Sequence, residues 1–150
     1  MTTQQQPEPN AAQPKRSLKG ARLRKHADYQ KAYAASRKRQ SASMSWFLAL
    51  RPAPPPMDAI EPLGPRVGLT AGKVVGKAHE RNRIKRRMRE ALRRHVDLLP
   101  GNADLILHPR RTVLTMDFRK LEAEVVRILM QAQEEASRSR TSPQPGLTEQ

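Results

Sequence analysis

Alternating side chains predict short strands. In SMSWFLALR, residues 43–51, the period of two places Met44, Trp46, Leu48 and Leu50 on one face and Ser45, Phe47, Ala49 and Arg51 on the other. RVGLTAG (66–72) and ADLILH (103–108) are apolar runs of strand length, with room for a further short strand at 72–76. The chain therefore contains the strands of a small sheet.

A helical spacing of apolar residues predicts three helices. RKHADYQKAYAAS (24–36) has Tyr29 and Tyr33 four residues apart on one side. Residues 78–99 have an apolar face and end at a Pro-Gly pair. Asp117 is the predicted N-cap of a third helix, whose apolar stripe consists of Phe118, Leu121, Val125, Ile128 and Leu129. The predicted order is αββαβα, a small α+β domain of the α/β sandwich type.

Proline and polar residues mark the ends of this domain. Residues 1–17 are rich in Gln and Pro, and the stretch from Ser137 onward is also polar, so we expect disordered tails at both ends. Residues 52–65 contain six prolines and predict an extended loop. The predicted domain is 18–132, followed by the helix end and tail at 133–150.

The charge of the chain points to a polyanionic partner. The net charge is +15, which favours nucleic acid first and an anionic membrane surface second. No apolar run reaches the roughly 20 residues of a membrane span, and the N-terminus lacks a secretory signal, so a soluble cytoplasmic protein is expected. The chain has no cysteine, which excludes disulfides and thiol nucleophiles.

The second predicted helix is strongly basic: eight of the eighteen residues 78–95 are Lys or Arg, and only Glu80 and Glu90 are acidic. On a helical wheel centred on Ile84, the apolar side contains Met88, Ala91, Leu92, His95, Leu98 and Leu99. The opposite half contains Asn82, Arg83, Arg86, Arg89, Glu90 and Arg93. Arg81 projects about 60° from Ile84, toward the apolar side. Many charged runs are only the solvated side of a helix, but a ridge of one sign that is dominated by arginine favours phosphate binding.

The order of these residues carries a resemblance. PRVGLTAGKVVGKAHERNRIKRRMREALR (65–93) resembles the signature region of the bacterial ribonuclease P protein component. The signature is formed here by Arg81-Asn82-Arg83, Lys85-Arg86 and Arg89-Glu90. RLRKHADYQKAY (22–33) and ADLILHPR (103–110) are similar to the family's first helix and to its strand after the basic helix. The chain departs from the pattern in the insertion 52–65, in Lys73-Val74 where paired lysines are frequent, and in Tyr29 and Tyr33 where Phe is commoner.

The resemblance implies both a fold and a function. The fold would be ribosomal protein S5 domain 2-like, with the basic helix in a left-handed β-α-β crossover. The protein would be the subunit of a ribonucleoprotein endonuclease that removes the 5′ leader of precursor tRNA. Its partners would be ribonuclease P RNA and precursor tRNA, with neither a membrane nor a protein partner required. The RNA would perform the chemistry with Mg²⁺ that it mainly binds itself, which leaves no catalytic residue and no metal ligand on the protein.

The resemblance also assigns residues to two surfaces. The residues implied to contact the catalytic RNA are Arg81, Asn82, Arg83, Lys85, Arg86 and Arg89, and the helix geometry adds Arg93. A cleft between the first helix and the sheet is implied to hold the single-stranded leader, with Tyr29, Tyr33, Phe47 and Lys73 as its candidates. The helix pattern alone favours core packing of the two tyrosines. It remains open whether Trp46 or Phe47 faces the cleft.

Two other functions are compatible with the same charge. One is a structural RNA-binding protein of ribosomal type, and the less favoured one is a nonspecific DNA-binding protein. The signature joined to the tyrosine pair favours the ribonuclease P subunit over both. The histidines are expected to have no special role: His79 and His95 have no evident partner, His95 lies at the core edge, and nothing in the pattern singles out His26 or His108.

Overall fold

The computed structural model describes residues 21–52 and 64–141 of the 150. Its helices and strands, in chain order, are α1 (His26–Ala34), β1 (Lys38–Gln40), β2 (Met44–Leu50), β3 (Arg66–Leu69), α2 (Ala78–Arg93), β4 (Ala103–Pro109) and α3 (Phe118–Thr141). The predicted tail at 1–17 and most of the Pro-rich loop at 52–65 lie outside the described residues. At the other end, α3 continues to Thr141, past Ser137 where the tail was predicted to begin.

The four strands form one mixed sheet in the order β1-β2-β4-β3. β2 pairs antiparallel with β1 and β4, and the register places Trp46 opposite Leu107 and Phe47 opposite Ile106. β3 and β4 are parallel, so the connection through α2 is a β-α-β crossover. The predicted α+β sandwich is confirmed, with the basic helix in this crossover.

Two local predictions were wrong. The segment 72–76 is not a strand but a short 3₁₀ turn, Lys73–Val75, followed by Gly76 at φ 158°, a backbone angle that side chains larger than glycine rarely adopt. The basic helix ends at Arg93, and a separate 3₁₀ turn covers Val96–Leu98. β1 was missed because three polar residues give no alternation of apolar and polar positions to detect.

The two faces of the sheet are covered differently. On one face, Trp46 is 1% exposed and packs in the main core with side chains of α2 and α3. On the other face, α1 forms a smaller cluster that includes Ala32, Ile106 and Phe47. Trp46 therefore faces the core and Phe47 faces α1, which answers the question that the alternation left open.

In the described part of the chain, no helix combines the length and hydropathy needed to cross a bilayer.

Candidate nucleic-acid interface

The start of α2 is fixed by one carboxylate. Glu80 accepts a hydrogen bond from the backbone N–H of Lys77 at 2.8 Å, which satisfies a free donor at the helix start. The guanidinium of Arg111 donates two further bonds to it, at 2.9 and 2.7 Å. Arg111 and then the Lys77 N–H lower the pKa of Glu80 to about 2, so this carboxylate is ionised at neutral pH.

The inner face of α2 is as predicted, with Ile84, Met88, Ala91 and Leu92 completely buried. Of the predicted RNA-contacting residues, Asn82, Arg83 and Arg86 are exposed on the outer side. Arg93 is half-buried and donates to Glu90 at 3.0 and 2.9 Å, so part of its charge is already compensated.

Arg87 has a structural role that the sequence did not indicate. Its guanidinium donates to the carbonyl oxygens of Val113, Leu114 and Met116, at 2.8, 3.0 and 2.5 Å. These bonds hold the turn after β4 against α2. The helical wheel contains a weak signal for this role, because Arg87 lies about 60° from Ile84, on the inner half of the helix.

An open groove of about 820 Å³ runs along the outer side of α2, where it meets the turn after β4. We call it the outer groove; it is lined by His79, Glu80, Arg83, Arg86, Arg87, Leu114, Thr115 and Met116. Because Arg87 is bonded to three carbonyls and Glu80 to Arg111, the exposed cations of this groove are Arg83 and Arg86. A groove with two exposed arginines suits a phosphate backbone.

The side of α2 that faces α1 has a second set of cations. We call it the inner side of α2; it is distinct from the buried face formed by Ile84 and Met88. Lys85 and Arg89 line a cavity of about 70 Å³ together with Arg22 and Tyr29, and we call it the cationic cavity. Arg81, which the wheel aimed at this side, instead donates to the carbonyl of Gly76 at 3.3 Å. The signature is therefore divided between two sides of the helix, but Lys85 and Arg89 rather than Arg81 line the cavity on the inner side.

Three of the four predicted leader-binding residues lie together. The ring centroids of Tyr29 and Tyr33 are 6.3 Å apart, and Tyr33 meets Phe47 at 5.0 Å and 90°. His108, which was expected to have no role, is the fourth member, with its ring centroid 5.2 Å from that of Phe47. We call these four residues the aromatic cleft. Lys73 lies exposed on the turn after β3.

The position of α1 over the sheet depends on β3. Arg66 donates two bonds of 2.9 Å to the buried Asp104 and one of 3.1 Å to Asp28 on α1. The ring of Tyr29 lies directly over Gly68, so closely that a Cβ there would come within 2.7 Å of ring carbons. Burial, and then the neighbouring Tyr33, raise the pKa of Tyr29, so its hydroxyl stays protonated.

Two histidines have partners that the sequence did not reveal. His95 Nε2 lies 2.8 Å from a carboxylate oxygen of Glu122 on α3, so the expectation that it has no partner was wrong. His108 Nε2 lies 2.7 Å from the hydroxyl of Tyr33. Both pairs join residues far apart in the chain, and spacing along one element cannot show such contacts.

Comparisons with known proteins agree with this geometry. The family model described as Ribonuclease P matches residues 18–133. The chain belongs to the ribonuclease P protein family. It is 36% identical over 112 residues to the ribonuclease P protein component of Chloroflexus aggregans, covering 74% of this chain and 76% of that one. It is 35% identical over 107 residues to that of Desulforapulum autotrophicum, covering 71% and 84%.

Solved structures of ribonuclease P proteins share the fold. The protein from Thermotoga maritima superposes with a TM-score of 0.60 at 22% identity, covering 73% of this chain and 96% of that one. The one from Staphylococcus aureus gives 0.60 at 23%, covering 75% and 94%. The ribonuclease P protein described here is thus a subunit of an endoribonuclease that matures the 5′ end of tRNA together with an RNA. Family membership decides against the ribosomal and DNA-binding alternatives.

Proposed function

We propose that this ribonuclease P protein uses the two sides of α2 for two different RNAs. The outer side, with the outer groove, binds ribonuclease P RNA. The inner side, with the cationic cavity and the aromatic cleft, binds the 5′ leader of precursor tRNA. The observation that carries the proposal is the division of the signature: Arg83 and Arg86 line one side, while Lys85 and Arg89 line the other.

The outer side suits a folded RNA. Asn82, Arg83 and Arg86 are exposed, and their neighbours Glu80 and Arg87 are already paired within the protein. Arginine forks can each take two phosphate oxygens, so a rigid helix that presents them fixes the register of an RNA backbone without reading its sequence. Arg81 and Arg93 remain predicted contacts of this RNA, although each is only half-exposed. Lys85 and Arg89, which the resemblance also assigned to it, line the cationic cavity on the other side of the helix.

The inner side suits a single strand. Single-stranded RNA is bound by a positive groove combined with aromatic rings on which bases stack, at roughly 1–3 kcal/mol per base. The cationic cavity adjoins the aromatic cleft through Tyr29, which belongs to both. Tyr29, Tyr33 and Phe47 are therefore the proposed stacking residues, with Lys73 as a predicted contact at the end of β3.

The proposal assigns Mg²⁺ to the RNA. Within residues 21–52 and 64–141, no group of three or more His, Asp or Glu side chains could hold a metal ion. The buried Asp104 is bonded to Arg66, and Glu80 to Arg111. Both carboxylates are already paired with arginines, which supports leaving Mg²⁺ to the RNA. The proposed compartment is the cytoplasm, where tRNA precursors are processed in bacteria.

Reconstitution tests the two surfaces separately. We expect the protein to stimulate cleavage of precursor tRNA by ribonuclease P RNA at low magnesium, and the complex to bind precursor more tightly than mature tRNA. The double variant Arg83→Ala/Arg86→Ala should weaken binding to ribonuclease P RNA. It should also flatten the slope of log K against log salt by about 0.7–0.9 for each phosphate that the protein no longer neutralises.

The matched control removes the same charge elsewhere. Arg119→Ala/Lys120→Ala changes two exposed cations at the start of α3, so the salt slope should stay close to that of the parent protein. Equal slopes for all three proteins would mean that the outer groove carries no RNA. Equal affinity of the parent complex for precursor and mature tRNA would exclude the leader from the inner side.

A further inference from the structure

Two arginines connect α2 to the turn after β4, a 3₁₀ turn that covers Arg111–Leu114. Arg87 belongs to the helix and donates into the turn, whereas Arg111 belongs to the turn and donates toward the start of the helix. We call these two connections the Arg87 brace and the Arg111 brace. Neither arginine belongs to the predicted RNA-contacting set.

The Arg87 brace closes the end of the turn. The guanidinium donates from Nη1 to the carbonyls of Val113 and Leu114 and from Nη2 to that of Met116. Carbonyls at the end of a helical turn have no partner within the turn, so a planar fork that reaches three of them fixes the turn relative to α2. Val113 is completely buried, so the turn is held from the core as well as from the helix.

The Arg111 brace lies at the other end of the turn. Arg111 donates to both carboxylate oxygens of Glu80 and, at 3.1 Å, to the carbonyl of Val75. The pair passes over Gly76, where a Cβ would come within 2.6 Å of both Arg111 Nη1 and Glu80 Oε1. Glycine at this position therefore leaves the space that the brace occupies.

The exposed arginines of the outer groove lie between the two braces. Glu80 and Arg87 are seven residues apart, which is about 10 Å along a helix. Arg83 and Arg86 come between them in the chain. The turn forms the opposite wall of the groove, through Leu114, Thr115 and Met116. Because the braces join the two walls at two points along the helix, they fix both the width of the groove and the angle between its walls.

We propose that Arg87 and Arg111 are positioning residues for ribonuclease P RNA, because they hold the two walls of the outer groove at the spacing that the RNA backbone requires. The inference rests on the proposed binding of this RNA in the outer groove. Phosphate contacts fix the register of a protein on a nucleic acid, so the arginines that make them have to be held in a defined arrangement. The competing explanations are that the two arginines act only through their charge, or that they only stabilise the fold.

Two substitutions of opposite charge test the Arg111 brace. Glu80→Gln raises the net charge by one and Arg111→Gln lowers it by one, and a glutamine at position 80 can still accept from the Lys77 N–H. If the brace positions the groove, both variants should bind ribonuclease P RNA more weakly, by roughly three- to tenfold at a fixed salt concentration. If only charge matters, Glu80→Gln should bind the RNA more tightly and Arg111→Gln less tightly.

Exposed side chains of α3 supply the matched controls. Glu134→Gln and Arg119→Gln make the same charge changes outside the lining of the outer groove, and they should alter the RNA affinity by less than about twofold. The preference for precursor over mature tRNA should keep the parent's value in all four variants, because leader binding is assigned to the other side of α2. A general defect in folding would lower that preference as well.

A double-mutant cycle tests the Arg87 brace. Arg87→Met keeps the apolar stem of the side chain but removes the three bonds, and it should weaken RNA binding by a similar factor in the parent protein. In the Arg83→Ala/Arg86→Ala background the same substitution should have almost no effect, because the arginines that it positions are absent. A direct contact or a loss of folded protein would weaken binding in both backgrounds. Circular dichroism identifies any variant that is unfolded at the assay temperature, and the other brace then carries the test.

Two results would overturn the inference. One is unchanged or tighter RNA binding by Glu80→Gln. The other is an equal loss of affinity from Arg87→Met in both backgrounds. Either result leaves the proposed function intact as long as Arg83→Ala/Arg86→Ala weakens RNA binding. If that double variant binds the RNA as tightly as the parent protein, the outer groove itself is not the RNA site.

Discussion

The contact of Tyr29 with Gly68 makes one backbone position decisive for the cleft. A Cβ at residue 68 would lie 2.5 Å from the Tyr29 hydroxyl oxygen and 2.7 Å from ring carbons, closer than real contacts allow. Gly68→Ala should therefore lower the free energy of unfolding by roughly 1–3 kcal/mol, as overpacked sites do. Urea unfolding measures the change.

Gly72→Ala is the matched control for this substitution. Gly72 has φ −84°, and nothing lies within 4 Å of a Cβ placed there, so alanine should be neutral or slightly stabilising. In a protein that already carries Tyr29→Ala, the loss of stability caused by Gly68→Ala should be much smaller, because the clash disappears with the ring. A Gly68→Ala protein as stable as the parent would show that Tyr29 can leave β3 without cost.

At the scale of single residues, the sequence identified the aromatic residues of the cleft better than it identified polar contacts between distant segments. The helix period places Tyr29 and Tyr33 on one side of α1, but it was the family resemblance that assigned them and Phe47 to one cleft, since the strand period left open whether Trp46 or Phe47 faces it. His108 could not be assigned to the cleft from the sequence, because its role depends on the register of β4 against β2 and on where α1 crosses the sheet. Arg87 was missed for a related reason: its partners are backbone carbonyls of another segment.

Among the elements, the β1–β2 turn depends on one buried carboxylate of α3. Glu124 is 4% exposed and accepts bonds from the Ser43 N–H at 2.8 Å, from the Ser43 hydroxyl at 2.6 Å and from the Ser41 hydroxyl. Burial alone would raise the pKa of Glu124, but these bonds and Arg127 outweigh it, so the net pKa is lowered. The carboxylate is therefore ionised in the fold and anchors the turn.

Glu124→Gln should lower stability by about 1–3 kcal/mol at neutral pH, because the amide nitrogen faces a donor and leaves it unsatisfied. Since the folded pKa lies below the usual 4.5, the contribution of the carboxylate is present above pH 4.5 and is lost as pH falls through the folded pKa. Urea unfolding of parent and variant at several pH values should show their difference shrinking below pH 4.5.

The control for this prediction lies on the same helix. Glu134→Gln changes an exposed carboxylate of α3 and should leave stability within about 0.5 kcal/mol of the parent at every pH. Other acids, such as Glu80, also titrate in this range, and taking the difference between parent and variant cancels their effect. A stability difference that stays constant with pH would mean that the negative charge of Glu124 does not contribute to stability.

The sequence predicted a helix or strand correctly where its apolar pattern extended over enough residues. β2, β4 and the apolar stripe of α3 are long enough for their patterns to determine the type of element, although the alternation of β2 left open which of its faces packs in the core. The Asp117 cap is also observed, with its carboxylate accepting from the Lys120 N–H at 3.4 Å. β1 and the turn Lys73–Val75 are three residues each, too short for a period, and tertiary contacts decide their structure.

At the scale of the whole molecule, charge and stability oppose each other. A net charge of +15 on 150 residues produces self-repulsion in the compact state, and α2 is a dense part of it, with seven Lys or Arg against two Glu. Two attractive pairs of the fold are nearly buried: Arg66 and Arg51 have side chains 12% and 10% exposed, and their partner Asp104 is 6% exposed. Salt screens exposed charges more than buried ones, so added salt weakens the repulsion more than these pairs.

The RNA-free protein should consequently become more stable as salt is added from about 0.01 M to 0.15 M, where the screening length falls from about 30 Å to about 8 Å. Thermal melting followed by circular dichroism measures the rise. Arg83→Ala/Arg86→Ala should reduce it more than Arg119→Ala/Lys120→Ala, although both remove two positive charges. Equal reductions would mean that the repulsion depends only on the net charge and not on the position of the cations. A melting temperature that falls with salt would show that attraction between charges outweighs repulsion. The expected result would mean that a bound polyanion stabilises the fold by relieving the crowded cations of α2.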